Sequence, residues 1–210
     1  QLHEELATPN VYRTGSGAPG FQYYQNKADY KMEITLDDSK QKITGKETIT
    51  YHNASPDPLE YLWIQLDQNV RANSSDSYKI RTGTMEDFSL NTLVRMDNNE
   101  KFDGGFKISS VTNDKNELLS HTINKTMMRI NLTQPLAPGA SMSFNIEWWY
   151  NINDRDKIGG RSGYEYFEEE GNYLYTIAQF FPRMCVYSDE TGWQNKQFLG
   201  AGEFTLPFGD

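Results

Sequence analysis

Apolar and polar residues alternate along much of this chain, starting near residue 30. In residues 30–36 every second position is apolar, and after the polar turn DDSKQ the residues Ile43, Ile49 and Tyr51 return to the same two-residue period. Successive side chains of a β-strand point to opposite sides, so this period is typical of a strand with one buried face. The pattern predicts a β-hairpin that packs its apolar face on a core.

Strand-like segments continue along the chain, at residues 59–67, 106–112, 117–123, 126–132 and 141–152. Residues 68–105 lack a clear period and are rich in Asn, Asp, Ser and Gly, which predicts long loops and one short helix near residues 85–96. The two prolines of TQPLAPGA, residues 133–140, indicate a further loop. Short strands at this spacing favour an all-β fold, either an antiparallel β-sandwich or a wide antiparallel sheet.

The start of the chain differs from the rest in composition. Residues 1–21 are polar and rich in Gly, Ser and Pro, which predicts a flexible lead-in or an arm lying on another surface. We expect residues 22–210 to form one β domain, since 210 residues suit a single domain with a sizeable core.

Composition and charge exclude several classes of function. Hydrophobic residues make up 37% and charged residues 23% of the chain, as in a globular protein. The net charge of −9 argues against a nucleic-acid partner, because binding a phosphate backbone needs clustered Lys and Arg. No apolar run reaches membrane-spanning length, so no membrane span is predicted. The only cysteine, Cys185, excludes an internal disulfide and a cysteine-based zinc site.

The three histidines do not form a zinc-binding pattern. HEELA at His3 begins like HExxH, but Ala7 stands where the second histidine is needed, and His52 and His121 lie far apart in sequence. We predict isolated histidines at the surface or at strand ends, and no metal site in this chain alone.

Other groups capable of chemistry have structural explanations. Cys185 lies in an apolar stretch, which favours a buried, unreactive thiol. The glutamates of residues 168–170 could supply a carboxylate pair for glycoside hydrolysis, but three Glu before Gly171 are typical of a charged hairpin turn. The acidic loop at residues 153–156 resembles a calcium loop, yet the EF-hand ligand spacing fails, so a solvated, flexible turn is the better account.

Adjacent tryptophans raise the alternative of a carbohydrate-binding module. Trp148 and Trp149 are neighbours on a predicted strand, so they point to opposite faces, and at least one is exposed or covered by another element. Together with Trp193 and the acidic loops they could form a platform for sugars in a free-standing β-sandwich. Quenching of tryptophan fluorescence by oligosaccharides would distinguish this alternative.

The C-terminal part carries the most specific motifs. GRSGYEYF is followed by NYLYTIAQFFPRMCVYSDETGW and then by GEFTLPFGD, and the opening segment reads YYQNKADYKMEITLDDSKQKITGKETITYHNASPD. In this order the motifs resemble the N-terminal β domain of the M1 family of zinc metallopeptidases, the aminopeptidase N-like gluzincins, over residues 22–210. The likeness is to the divergent group found in Bacteroidetes-type bacteria, in which LWIQLDQN also has counterparts.

The resemblance implies a saddle-shaped β domain that covers a thermolysin-like catalytic domain. In the family the zinc motif HExxH, a further Glu ligand and a Gly-x-Met-Glu-Asn motif all follow this β domain, so the chain is interpreted as a truncated part of a longer enzyme. It is then noncatalytic by itself, with zinc expected only in the full-length protein. Its expected partners are that catalytic domain and a peptide substrate, and a periplasmic or exported location is expected.

Two substrate-binding residues follow from the resemblance, Gln179 and Phe181. Gln179 matches the family's Gln that helps to hold the free α-amine of the substrate, and an amide oxygen can accept a hydrogen bond from an ammonium group without adding a charge. Phe181 replaces an acidic residue of commoner members and could line the first side-chain pocket with Phe180 and Tyr187. Two alternatives stay open: Gln179 as a polar residue on an outward strand face, and an intact hydrolase that uses Cys185 or Glu168–Glu170.

Overall fold

Two antiparallel sheets form the body of the protein in a computed structural model, which describes residues 8–77, 89–200 and 206–210. Its helices are the 3-10 helix Asp67–Arg71 and the α-helix α1 (Leu90–Lys101). Its strands are β1 (Lys27–Asp37), β2 (Lys42–His52), β3 (Leu59–Gln65), β4 (Lys107–Asn113), β5 (His121–Asn124), β6 (Met127–Leu136), β7 (Ser141–Asn151), β8 (Gly163–Phe167), β9 (Asn172–Thr176), β10 (Arg183–Met184), β11 (Tyr187–Ser188) and β12 (Gly192–Trp193).

The strand order confirms the predicted all-β antiparallel sandwich. The first sheet has the order β1-β2-β7-β4 and the second β10-β3-β6-β5, while β8-β9 and β11-β12 are separate hairpins. The predicted opening hairpin is also present, with β1 and β2 antiparallel over their full lengths from Lys27↔His52 to Asp37↔Lys42.

Two predicted strand and loop boundaries need correction. The loop predicted over residues 133–140 starts late, because β6 continues to Leu136. Pro135 fits within β6 because it lies at the irregularity of the β3–β6 ladder, where the register shifts between Leu59 and Tyr61. The strand predicted over residues 117–123 is reduced to β5.

The predicted short helix begins later than expected. Helix α1 starts at Leu90, where the Ser89 hydroxyl accepts a hydrogen bond from the Thr92 N–H at 3.2 Å, while residues 85–88 of the prediction lie outside the described residues. Within the part of the chain that the structure describes, no helix is both long and apolar enough to cross a membrane.

The inner faces of the two sheets share one apolar core. It contains, among others, Ile49, Phe144 and Trp148 from the first sheet and Leu62 and Ile130 from the second. The apolar face predicted for β1 is only partly buried: Ile34 and Leu36 remain 40% and 44% exposed. The cause is position, because β1 is the edge strand of its sheet and packs on a neighbour along one side.

Both described ends of the chain lie on the sandwich. Near the start, Arg13 pairs with Asp189 and Glu190 in the β11–β12 turn. Near the end, the backbone of Phe208 accepts a hydrogen bond from the Ala28 N–H of β1 at 2.8 Å. The domain boundary at residue 21 stays a prediction.

A glycine makes room for the largest ring in the core. Gly45 of β2 is paired with Trp148 of β7, and a Cβ atom at Gly45 would lie 2.2 Å from the indole ring. The indole stacks on Tyr150 at 5.9 Å and meets Phe106 edge-on at 5.4 Å, so it has no free side toward which to move.

Gly45→Ala should therefore destabilise the protein, by about 1–3 kcal/mol, because overpacking forces the tryptophan out of place. Urea unfolding followed by tryptophan fluorescence measures the change. Gly15→Ala is the control, since a Cβ there meets its nearest atom at 3.4 Å. Equal stabilities for the two variants would contradict this account of the core.

Candidate functional site

Gln179 and Phe181 lie together on the loop of residues 177–182, which joins β9 to β10. Gln179 has a backbone φ of 53°, in the left-handed region that residues with a side chain seldom adopt. Such a conformation costs on the order of 1 kcal/mol or more and persists only where the surroundings impose it.

Hydrogen bonds from neighbouring elements to the loop backbone hold Gln179 in this conformation. The Nε2 of Gln68, in the 3-10 helix, donates to the carbonyl oxygens of Ala178 at 2.9 Å and Gln179 at 3.3 Å. The Ala178 N–H donates to the Ser162 hydroxyl at 3.1 Å. Arg71 donates to the Oε1 of Gln68 at 3.3 Å, which orients the amide so that its nitrogen faces the loop. Sequence reasoning missed this clamp, because it joins residues more than 100 positions apart.

The side chain of Gln179 is available for a ligand. It is half-buried, and its amide makes no hydrogen bond to any residue that the structure describes. A partly desolvated amide with free donor and acceptor groups gains more from a new hydrogen bond than a fully hydrated one.

Phe181 has a supporting position beside Gln179. Its ring meets Tyr30 edge-on at 5.3 Å and Phe180 at 5.1 Å, so it packs on the inner side of β1. Tyr187, the third candidate for the pocket, instead contacts Trp193 at 5.3 Å and donates its hydroxyl proton to Asp57 at 2.8 Å. Gln179, Phe180 and Phe181 thus share one loop, whereas the ring and hydroxyl contacts of Tyr187 are with Trp193 and Asp57.

A buried ion pair anchors the chain directly after the loop. Arg183 pairs with Gln65 in the β10–β3 ladder, and its Nη2 lies 2.5 Å from Oδ2 of Asp67. The side chains are 9% and 1% exposed. Burial raises the pKa of the Asp67 carboxyl, whereas the Arg183 charge acts in the opposite direction.

An unpaired acid lies in the buried face of the first sheet. Glu47 of β2 is fully buried, and neither carboxylate oxygen has a hydrogen-bond partner among the described residues. Burial raises its pKa to about 9, so Glu47 is protonated at neutral pH. Sequence reasoning missed this residue, although the two-residue period that includes Ile43, Ile49 and Tyr51 places position 47 on the buried face.

The histidines that the structure describes have other partners. His52 contacts Asp29 at 3.0 Å and Ser141 at 2.7 Å, and His121 contacts the Leu119 carbonyl at 3.1 Å; His3 lies outside the described residues. In residues 8–77, 89–200 and 206–210, no three His, Cys, Asp or Glu side chains converge on one point. The described residues therefore do not fit a zinc ion.

The remaining chemical candidates have structural roles. Burial raises the pKa of the Cys185 thiol to about 12, so it is not a nucleophile near neutral pH. The glutamates at residues 168–170 form the turn of the β8–β9 hairpin, as predicted. Asp154 accepts hydrogen bonds from the backbone N–H groups of Asp156 and Lys157 and pairs with the Lys157 ammonium at 2.9 Å, so its loop folds on itself.

The tryptophans point to opposite faces, as predicted. Trp148 is buried in the core, whereas Trp149 faces outward with the Lys42 ammonium 3.8 Å above its ring. Trp193 packs on Tyr51 at 5.9 Å. The three rings lie in three different environments and form no common platform.

No protein-family model and no curated protein sequence matches the chain. Among solved structures it is similar to an M1 zinc metallopeptidase from Deinococcus radiodurans, with 12% identity and a TM-score of 0.38 over 64% of this chain and 22% of that chain. A mutant of that M1 zinc metallopeptidase bound to a Tyr-Ser-Ala substrate has 12% identity to this chain and a TM-score of 0.38. The match covers 65% of this chain and 23% of that chain. A GH20 exo-β-N-acetylglucosaminidase from Vibrio harveyi, in complex with N-acetylglucosamine, has 12% identity to this chain and a TM-score of 0.31. The match covers 78% of this chain and 17% of that chain.

The chain spans at most 23% of the length of these solved structures.

Glu47→Gln should raise stability at alkaline pH. The folded protein holds the Glu47 proton up to about pH 9, whereas the unfolded chain releases it above about pH 4.5, so wild-type stability falls as pH rises between these values. At pH 8 the variant should gain on the order of 2–4 kcal/mol, and near pH 4 the difference should vanish. Urea unfolding at several pH values measures it; Glu33→Gln, on the exposed face of β1, is the control. A parallel pH profile for wild type and Glu47→Gln would refute a protonated buried acid.

Arg183→Met should cost about 3–5 kcal/mol of unfolding free energy, because it leaves the Asp67 carboxylate buried without its cation. Adding Asp67→Leu should recover most of the loss, since the pair as a whole contributes little net stability. Arg155→Met, which removes the half-exposed pair with Glu165, should cost about 1 kcal/mol or less. Additive losses in the double variant would show that Asp67 and Arg183 act independently.

Proposed function

We propose that residues 22–210 form the noncatalytic N-terminal domain of an M1-like zinc metallopeptidase with aminopeptidase activity, and that the loop of residues 177–182 forms one wall of its active site. The observation that carries this proposal is the Gln179 side chain, which is held on a strained, clamped backbone and has no partner among the described residues. Strained residues of this kind cluster at functional sites.

In the proposed site, the Oε1 of Gln179 accepts a hydrogen bond from the α-ammonium group of a peptide. Hydrogen bonds with one charged partner are about twice as strong as neutral ones, and the neutral amide adds no second charge to the pocket. A peptide anchored by its N-terminus is presented at its first peptide bond, which selects exopeptidase action through binding. Phe181 supports the loop by packing on Tyr30.

The cleavage chemistry in this proposal belongs to a separate catalytic domain. The described residues hold no set of side chains that fits zinc, so no chemical step is assigned to this chain. The order of the motifs from GRSGYEYF to GEFTLPFGD supports the family assignment. An exported or periplasmic location is part of the same proposal.

Gln179→Ala in the full-length protein should lower kcat/KM for substrates with a free amine by about 10- to 100-fold, the value of a hydrogen bond to a charged group. Hydrolysis of alanine p-nitroanilide should show the loss mainly in KM, since the bond is made in the bound substrate as well as in the transition state. The measurement is steady-state kinetics, together with the zinc content of the full-length protein.

Gln22→Ala is the matched control, because Gln22 is an exposed glutamine far from the loop in sequence. Unchanged kinetics for Gln179→Ala would remove Gln179 from the site. A full-length protein without zinc or peptidase activity would overturn the whole proposal, and oligosaccharide-dependent quenching of tryptophan fluorescence would then support the carbohydrate-binding alternative.

A further inference from the structure

The β8–β9 hairpin has four tyrosines on one face. Residues directly opposite each other in an antiparallel pair project to the same side, and here these pairs are Tyr164↔Tyr175 and Tyr166↔Tyr173. The ring of Tyr173 contacts the other three, at centroid distances between 4.8 and 6.1 Å. The four rings therefore form one continuous strip, which we call the tyrosine strip.

The two halves of the tyrosine strip have different surroundings. Tyr164 and Tyr175 pack against the core, and each donates its hydroxyl proton to a neighbouring side chain, at 3.4 and 2.6 Å. Tyr166 and Tyr173 are 48% and 41% exposed, and their hydroxyls have no partner in the part of the chain that the structure describes. All residues from 166 to 174 are exposed, so this end of the hairpin is an unpartnered sheet face.

The turn next to the exposed rings is negatively charged. Residues 168–170 are all Glu and all exposed, and no cation among residues 8–77, 89–200 and 206–210 forms an ion pair with any of them. The other glutamate of the hairpin, Glu165, is only half-exposed and pairs with Arg155 at 3.0 Å. The turn therefore holds three carboxylates without a countercharge among the described residues, within four positions of Tyr166 in sequence.

Two other partly exposed rings of the protein are covered by cations of the chain itself. The guanidinium carbon of Arg129 lies 3.9 Å from the centroid of Tyr61, and the Lys42 ammonium lies 3.8 Å from that of Trp149. Such contacts are attractive because the face of an aromatic ring is electron-rich. No cation that the structure describes lies over Tyr166 or Tyr173. The hairpin tip thus combines ring faces and carboxylates, the two groups that attract a cation, and leaves both available.

We propose that the exposed half of the tyrosine strip and the turn of residues 168–170 bind an arginine-bearing segment of a separate protein. Arginine fits better than lysine, because its planar guanidinium can stack on a tyrosine ring while it donates paired hydrogen bonds to a carboxylate. A second copy of this chain is a poor partner, since each copy has a net charge of −9. This binding surface is independent of Gln179 and of the proposed peptidase function.

Titration with synthetic peptides tests this surface. The 210-residue chain is titrated with a fluorescent peptide of alternating Arg and Ser, and with the same peptide carrying citrulline, which has the shape of arginine without its charge. The arginine peptide should bind, with amide NMR shifts confined to residues 163–176, and the citrulline peptide should bind at least about 10-fold more weakly. Equal affinity for the two peptides, or shifts elsewhere in the chain, would contradict the proposal.

Variants of Tyr166 separate ring stacking from charge attraction. Tyr166→Ala should weaken binding of the arginine peptide by about 5- to 10-fold, whereas Tyr166→Phe, which keeps the ring, should stay within about twofold of the unmodified chain. Tyr23→Ala is the matched control, because Tyr23 is 50% exposed and lies in the segment before β1. Urea unfolding checks that each variant is folded. If Tyr166→Ala binds as tightly as Tyr166→Phe, the tyrosine strip is not the binding surface.

A second pair of variants separates the acidic turn from the overall negative charge. The double variant Glu168→Gln/Glu170→Gln should weaken binding by about 10-fold or more, because it removes carboxylates beside the rings. The double variant Glu33→Gln/Glu100→Gln removes the same number of charges from exposed positions in β1 and α1 and should change the affinity by about twofold or less. Equal losses would mean that the peptide follows net charge alone, which refutes a defined site.

The source of the arginine is decided by two further measurements. The full-length protein should bind the arginine peptide as the 210-residue chain does; loss of binding there would show that another part of the same protein covers the tip, and would overturn a separate partner. Sedimentation should show no self-association that depends on Tyr166, since such association would identify a second copy as the occupant. None of these measurements depends on zinc or peptidase activity, so this proposal and the proposed function fail separately.

Discussion

The buried pair of Arg183 and Asp67 is the contact on which the candidate site depends. β10 contains only two residues and is joined to β3 by a short ladder, too little to hold the preceding loop in place. The ion pair adds a second attachment beside the ladder, and the next residue of the 3-10 helix, Gln68, clamps the loop itself. A buried pair contributes little to net stability but specifies one arrangement, because any shift that separates the charges leaves both without partners.

The core combines close apolar packing with an acid that has no partner. At Gly45 the rings around Trp148 leave no space for a side chain. Glu47, two residues along the same strand, is accommodated in its neutral form. A carboxyl group kept neutral by burial lowers stability at physiological pH. Glu47 faces Met32 of the edge strand β1, so this cost falls on the β1–β2 hairpin.

The sequence predicted the features that depend on local pattern. A period of two gave the β1–β2 hairpin, the sandwich class and the opposite directions of Trp148 and Trp149. It could not give the extent of β6 past Pro135, which depends on a register shift against β3, or the exposure of Ile34, which depends on strand order. Gln179 was selected by motif resemblance, but the Gln68 clamp that gives it a defined conformation is a contact between distant segments with no local signal. The substrate contact itself stays a prediction.

Because Gln179 has a left-handed backbone, the residue that would give the highest stability at this position is not the residue that would bind the substrate. Glycine would adopt the same φ without a steric cost, so Gln179→Gly would relax the loop while it removes the amide. A directed-evolution experiment that selected this domain for thermal tolerance alone would therefore enrich glycine at position 179 and discard the group that we assign to the substrate. A glutamine retained there through such a screen would show instead that the left-handed backbone costs little stability at this position.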